Sequence, residues 1–225
     1  MLQEVMTSPG VIEFRDVPIP EIRDDQVLVK MMRLGICGSD IHVYHGKHPY
    51  TKYPVTQGHE VSGEIVQVGS AVKGLEVGQK VVLEPQVTCG KCYPCTHGKY
   101  NLCTELKVMG FQTTGAASEL FAVDASKVDV IPDEMSYDEA ALIEPLTIAL
   151  AAAEQAHISY GKSVAIMGAG GIGLMLVQLA RLAGASCVTV FDLVEEKCEL
   201  AKQLGADYAF DPRKEGALEE AMKVA

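Results

Sequence analysis

The sequence predicts two units of unlike class: a β-rich metal-binding unit over residues 1–153, then over 154–225 the first βαβαβ half of a doubly wound parallel sheet. Three observations predict it. Short alternating apolar runs separated by Gly and Pro fill roughly the first 130 residues. At Ser136 the hydrophobic period lengthens to a helical one. After Ser163 a short apolar strand runs into a glycine-rich turn and then a helix, and strand and helix alternate from there on.

In chain order, Gln26–Met31, Gly63–Val68 and Lys80–Leu83 alternate as strands, punctuated by Gly69, Gly74, Gly78 and Pro85. Helices are scarce in this stretch. Ser136, followed by Asp138 and Glu139, reads as a helix start, and Glu144-Pro145 interrupts the apolar run that follows with a break or kink. Ser163–Met167 is a buried strand, Gly171–Ala183 a helix and Ala185–Phe191 a second strand. Glu195–Leu204 is a second helix, Ala206–Phe210 a third short strand, and Glu215–Val224 a last helical stretch.

Of 225 residues, 48% are apolar and 22% charged, which places the chain among globular proteins able to bury a core. The formal charge is −11, with no Lys/Arg block, so a phosphate backbone is a poor partner and nucleic acid is not expected. The longest apolar run, Val164–Val177, is broken by glycines and too short to span a bilayer, so no membrane partner is expected. The opening MLQEVMTSPG has neither a basic nor an apolar signal region, which gives the expectation of a reducing, cytoplasmic setting. In that setting clustered cysteines are metal ligands sooner than disulfides.

Three constellations carry chemistry. The first is Cys89-x2-Cys92-x2-Cys95-x7-Cys103. Pairs two residues apart let one turn supply two thiolates, and four thiolates close a tetrahedron, so the pattern favours structural zinc over an iron–sulfur cluster or free thiols. The second is Gly35-Ile-Cys37-Gly-Ser39-Asp40-Ile-His42 with Gly58-His59-Glu60. Cys37, His59 and Glu60 offer a thiolate, an imidazole and a carboxylate, a mixed set that suits a catalytic zinc with an open position. A buried cysteine and a satisfied core histidine would be the ordinary reading of either residue alone. Ser39 and His42, able to pass a proton, and Asp40, able to hold the second nitrogen of His59, favour the catalytic one. The third is Gly168-x-Gly170-Gly171-Ile172-Gly173, between a strand and a helix, with Asp192 lying 19 residues past the last glycine. That context fits a dinucleotide pyrophosphate on backbone amides, with Asp192 on the ribose, where its charge favours NAD over NADP.

In this order, the G-I-C-G-S-D-x-H and G-H-E segments, the four-cysteine lobe and the glycine turn resemble the zinc-dependent medium-chain alcohol and polyol dehydrogenases over essentially the whole chain. The resemblance implies a GroES-like catalytic domain (1–153) and an NAD-binding Rossmann domain (154–225), with the active site in the cleft between them. It implies catalytic zinc on Cys37 and His59, structural zinc on Cys89, Cys92, Cys95 and Cys103, a proton relay through Ser39 and His42, and a ribose contact from Lys197. Alcohol dehydrogenases of the family commonly supply a cysteine as the remaining zinc ligand. Here Glu144 stands at that position, as in the branch acting on polyols, butanediol and L-threonine, and whether Glu60, Glu144 or both bind zinc stays open. The implied reaction is hydride transfer from a secondary alcohol of a polyol such as sorbitol, L-iditol or xylitol to NAD. L-threonine and a vicinal diol are the alternative substrates, since Val43 and Tyr44 stand where sorbitol dehydrogenases usually carry two aromatics and match the polyol pocket only in part. A non-catalytic zinc-binding fragment is the alternative of another class. The resemblance further implies a homodimer or homotetramer in the full-length form, and a chain that is C-terminally truncated.

Overall fold

The structure, a computed structural model, describes residues 1–224. It divides into two compact units, Met1–Glu144 and Pro145–Ala225, rather than at the expected 153/154. The division falls within the first turn of the helix Ile143–Gln155.

In the first unit, β1 (Leu2–Ser8) and β2 (Val11–Asp16) form a hairpin across Pro9-Gly10. β3 (Gln26–Leu34) leads into the short helix α1 (Gly38–Tyr44), followed by β4 (Val61–Val68), β5 (Lys80–Leu83) and β6 (Gln86–Val87). The single-turn helix α2 (Tyr93–Thr96) lies within the cysteine lobe, which β7 (Lys107–Val108) closes by pairing with β6. β8 (Leu120–Asp124) and β9 (Val128–Val130) complete an antiparallel five-stranded sheet in the order β8-β3-β4-β5-β9. The three expected strands are its centre, each longer than or equal to its predicted span. Its inward face is Val27, Val29, Val61, Ile65, Val81 and Leu83, packed with Met109, Ala116 and Val123.

Ser136 caps α3 (Tyr137–Ala140) through a capping box with Glu139, so the predicted helix start is observed. The predicted interruption falls just ahead of Glu144-Pro145. α4 (Ile143–Gln155) begins afresh, and Pro145 sits in its first turn, where a missing N–H leaves no intrahelical bond unmade.

The second unit alternates β10 (Ser163–Met167), α5 (Gly171–Leu182), β11 (Cys187–Phe191), α6 (Glu195–Gln203), β12 (Tyr208–Phe210) and α7 (Ala217–Val224). Its strands are parallel in the order β10-β11-β12, the βαβαβ arrangement expected from the sequence. Val188 and Val190 of β11 are fully buried against Val177 and Ala180 of α5 and Ala201 of α6. No helix among the described residues is long and apolar enough to cross a membrane.

The sheet core sets the stability of the first unit. Ile65, fully buried, is expected to cost about 2–5 kcal/mol when cut to Ala. Ile12, 45% exposed on β2, is expected to cost under about 0.5 kcal/mol. Urea unfolding of the two variants checks the contrast.

Candidate active site and metal centres

The mixed cluster forms where α1 meets the entry to β4. Cys37 is the N-cap of α1: its Sγ accepts from Ser39 N at 3.5 Å, and its own N–H donates to Asp40 Oδ2 at 2.9 Å. The sulfur therefore has a fixed direction at the head of the helix. Gly58 delivers His59 and Glu60 to the same place. Its φ is +98°, and a side chain there would also strike the backbone nitrogen of Ala117 at 2.9 Å. The ligand atoms of Cys37, His59 and Glu60 all lie within 4.8 Å of one another. Glu144 lies outside this trio, though near enough for Glu60 and Asp40 to act on its charge.

The electrostatics of the cluster call for a cation. Burial pushes the Cys37 thiol and the Asp40 and Glu60 carboxyls above their ordinary values. Burial, then Glu60 and Asp40, push Glu144 up to about 7. These acids face one another with His59 as the basic side chain among them, and a divalent ion would supply the missing counter-charge. His59 Nδ1 is buried without a hydrogen-bond partner. The expected contact with Asp40 is present only as an approach of 3.7 Å from Oδ1. The donor set fits zinc with an open position, and with Nδ1 turned toward Asp40 the nitrogen left for the metal is Nε2.

Ser39 and His42 sit three residues apart on α1 and so share one side of it, Ser39 half-buried and His42 exposed. Val43, the next residue round α1 from His42, is fully buried with Met6, Val55 and Phe111, in the core rather than at an exposed surface. Sequence reasoning missed two neighbours. Phe111 packs on His59 at 4.9 Å between ring centroids and stacks on His48 at 4.7 Å, and His48 Nδ1 lies 2.7 Å from Thr51 Oγ1. Neither belongs to a periodic segment, and residues 111 and 59 meet only through the tertiary fold.

The four cysteines of the lobe also converge. The sulfurs of Cys89, Cys92, Cys95 and Cys103 lie within 4.8 Å of one another, and none is in a disulfide. Backbone N–H groups of Cys95 and Thr104 hold the Cys92 thiol down at about 6, and those of Cys89 and Glu105 lower Cys103. Burial and the neighbouring sulfurs push Cys95 up to about 12. Two thiols poised to ionise beside one that resists is the state a soft cation resolves, and four sulfurs leave it no open position.

In the second unit the glycine turn joins β10 to α5. Gly168 has φ +100°, Gly170 is the N-cap and Gly171 opens the helix beside Ile172. A Cβ on Gly173 would lie 1.9 Å from the carbonyl oxygen of Gly168, so only glycine lets helix and turn approach this closely. No such contact exists at Gly170 or Gly171, where the space is open for a ligand to approach the backbone. Asp192 accepts from Ala169 N at 2.7 Å and from Val194 N at 2.9 Å, with Lys197 in electrostatic range. The Ala169 bond, the largest cause, with the Val194 bond and Lys197, keeps its carboxyl below the usual range and ionised.

Two outcomes follow from this geometry. Gly173→Ala should destabilise the chain by about 1–3 kcal/mol while Gly171→Ala leaves stability unchanged or slightly raised, read by urea unfolding. The second concerns pH. Because the folded pKa of Glu144 exceeds the ordinary value of 4.5, its contribution to stability is complete below that value and is lost as pH rises through about 7. The melting temperature of the metal-free chain should therefore fall between about pH 5 and about pH 7.5, and Glu144→Gln should flatten that fall. An unaltered slope in the variant would remove Glu144 as its origin.

Comparison with known proteins places the chain in a family. The alcohol dehydrogenase GroES-like domain family matches residues 23–133, and the zinc-binding dehydrogenase family matches residues 171–225. A sorbitol dehydrogenase of Bacillus subtilis is 41% identical, over 98% of this chain and 64% of its own length. An L-threonine 3-dehydrogenase of Pyrococcus horikoshii is 37% identical, over 100% of this chain and 65% of its own. A solved structure described as a zinc-binding dehydrogenase, from Clostridium scindens, superposes with a TM-score of 0.90 at 45% identity, over 99% of this chain and 67% of that one. The chain thus spans just under two thirds of the length of the curated relatives it matches. It belongs to the zinc-dependent medium-chain alcohol dehydrogenase family.

Proposed function

We propose that this chain is part of a zinc-dependent, NAD-linked dehydrogenase that oxidises a secondary hydroxyl of a polyol of the sorbitol, L-iditol or xylitol type. The observation that carries the reading is the trio of buried His59 with half-buried Cys37 and Glu60, all within 4.8 Å, at the head of a helix bearing Ser39 and His42. When bound, zinc would acidify the substrate hydroxyl, and NAD would accept a hydride from the carbon that bears it. Cys37 and His59 hold the metal, with Glu60 or Glu144 as the carboxylate ligand, and Cys89, Cys92, Cys95 and Cys103 hold the structural ion. Ser39 takes the hydroxyl proton and His42, exposed on the same helix, gives it to solvent. The backbone at Gly168, Gly170, Gly171, Ile172 and Gly173 receives the pyrophosphate, and Asp192 and Lys197 receive the ribose.

Support for the substrate class comes from relatives named sorbitol dehydrogenase and probable D-xylulose reductase, 41% and 39% identical. Support for the cofactor comes from similar structures solved with NADH and with NADP; the ionised Asp192 favours NAD here. A similar L-threonine 3-dehydrogenase keeps threonine as the second reading. A homodimer or homotetramer in the cytoplasm completes the proposal for the full-length protein.

The chain should carry about two zinc ions, falling to about one in Cys37→Ser, measured by metal analysis. A single ion in both would leave a non-catalytic zinc-binding module as the reading. For the full-length protein, NAD reduction with sorbitol or xylitol and none with L-threonine is expected; the reverse pattern selects the threonine activity.

A further inference from the structure

Six polar or charged side chains are buried among the described residues, and three of them, Asp40, Gln57 and His59, meet at the mixed cluster. Both carboxylate oxygens of Asp40 are engaged. Oδ2 accepts from Cys37 N at 2.9 Å and Oδ1 accepts from Gln57 Nε2 at 2.9 Å. The same Oδ1 faces His59 Nδ1 at 3.7 Å. The Gln57 amide also lies 3.5 Å from the Asp40 carbonyl oxygen. Both groups it meets are acceptors, so its nitrogen, not its oxygen, must face Asp40.

Gln57 is itself clamped. Its N–H donates to Glu4 Oε2 at 3.1 Å, its carbonyl accepts from Ala117 N at 2.9 Å, and the neighbouring Thr56 hydroxyl donates to Glu4 O at 2.8 Å. Glu4 N in turn donates to Ala117 O at 2.9 Å. A continuous path of hydrogen bonds therefore runs from β1 through Gln57 to the carboxylate beside His59. With Oδ2 tied to the cap of α1 and Oδ1 tied to Gln57, Asp40 cannot rotate its carboxylate away from the imidazole without breaking a hydrogen bond.

We propose that Gln57, braced by Glu4, is a positioning residue of the metal centre: its side-chain amide holds Asp40 Oδ1 toward His59 Nδ1 and so fixes the imidazole for metal binding. This rests on the reading that Cys37, His59 and Glu60 hold a metal. An imidazole that ligates through one nitrogen needs an acceptor for the other, and loss of such outer partners commonly weakens metal binding about 10–100-fold.

Cobalt(II) titration of the chain tests it, because four-thiolate and mixed thiolate–imidazole sites give distinct visible bands. Gln57→Met keeps the length and volume of the side chain and removes the donor. Gln57→Glu replaces the donor with a second carboxylate. Both should weaken cobalt at the mixed site about tenfold or more and shift its bands, while the four-thiolate site fills as in the parent and reports an intact fold. Glu4→Gln, which keeps an oxygen for the Gln57 N–H, should restore affinity to within about twofold of the parent. Unchanged mixed-site affinity and bands in Gln57→Met overturn the proposal alone. A parent chain that takes up cobalt only at the four thiolates overturns the metal-centre reading beneath it.

Discussion

Everything around α1 depends on gathering more acid than base in a place partly withdrawn from water. Cys37, Asp40 and Glu60 converge on His59, with Glu144 nearby, and burial is the largest cause raising all four acids. Such a cluster opposes folding unless protons or a cation neutralise it. The surrounding devices are best understood as ways of holding the cluster in place: the capping box that aims Cys37, the left-handed Gly58 that delivers His59, and the bond from Gln57 that orients Asp40.

The cysteine lobe solves a related problem by a local route. Its four sulfurs come from one span of 15 residues, with backbone N–H groups directed at Cys92 and Cys103, so little distant structure is needed. The mixed centre draws on β1, the loop after β3, and the turn before β4, and it exists only once the five-stranded sheet has formed. One centre is a property of a segment, the other a property of a fold.

That difference also decides what could be read in the sequence. Spacing within a segment carried the cysteine lobe, the glycine turn and the helix start at Ser136, because ligand geometry, pyrophosphate approach and capping are all local. The second unit was legible almost element by element, since its strands are continuously apolar and its helices periodic. The β1–β2 hairpin was not read, although Ile12-Glu13-Phe14-Arg15 alternates and Pro9-Gly10 marks a turn; the run is only a few residues long, and every residue of β2 is exposed. α1 was hidden inside a motif read for its chemistry. Gln57 and Glu4 were beyond reach, being 53 residues apart in sequence and joined only by tertiary pairing. Val43 was assigned by position along the chain to the substrate side, and helical geometry turned it into the core.

Asp192 does two things with one carboxylate. Its bonds to Ala169 N and Val194 N fasten the glycine turn to the end of β11, and in the cofactor role proposed above the same charge would repel a phosphate on the ribose. Cofactor preference and the shape of the turn are therefore inherited together. A lineage exchanging one dinucleotide for the other could not simply delete the acid, because the turn would come loose with the repulsion. It would need a neutral side chain that still accepts from both amides, such as asparagine, which narrows the paths by which the preference can drift.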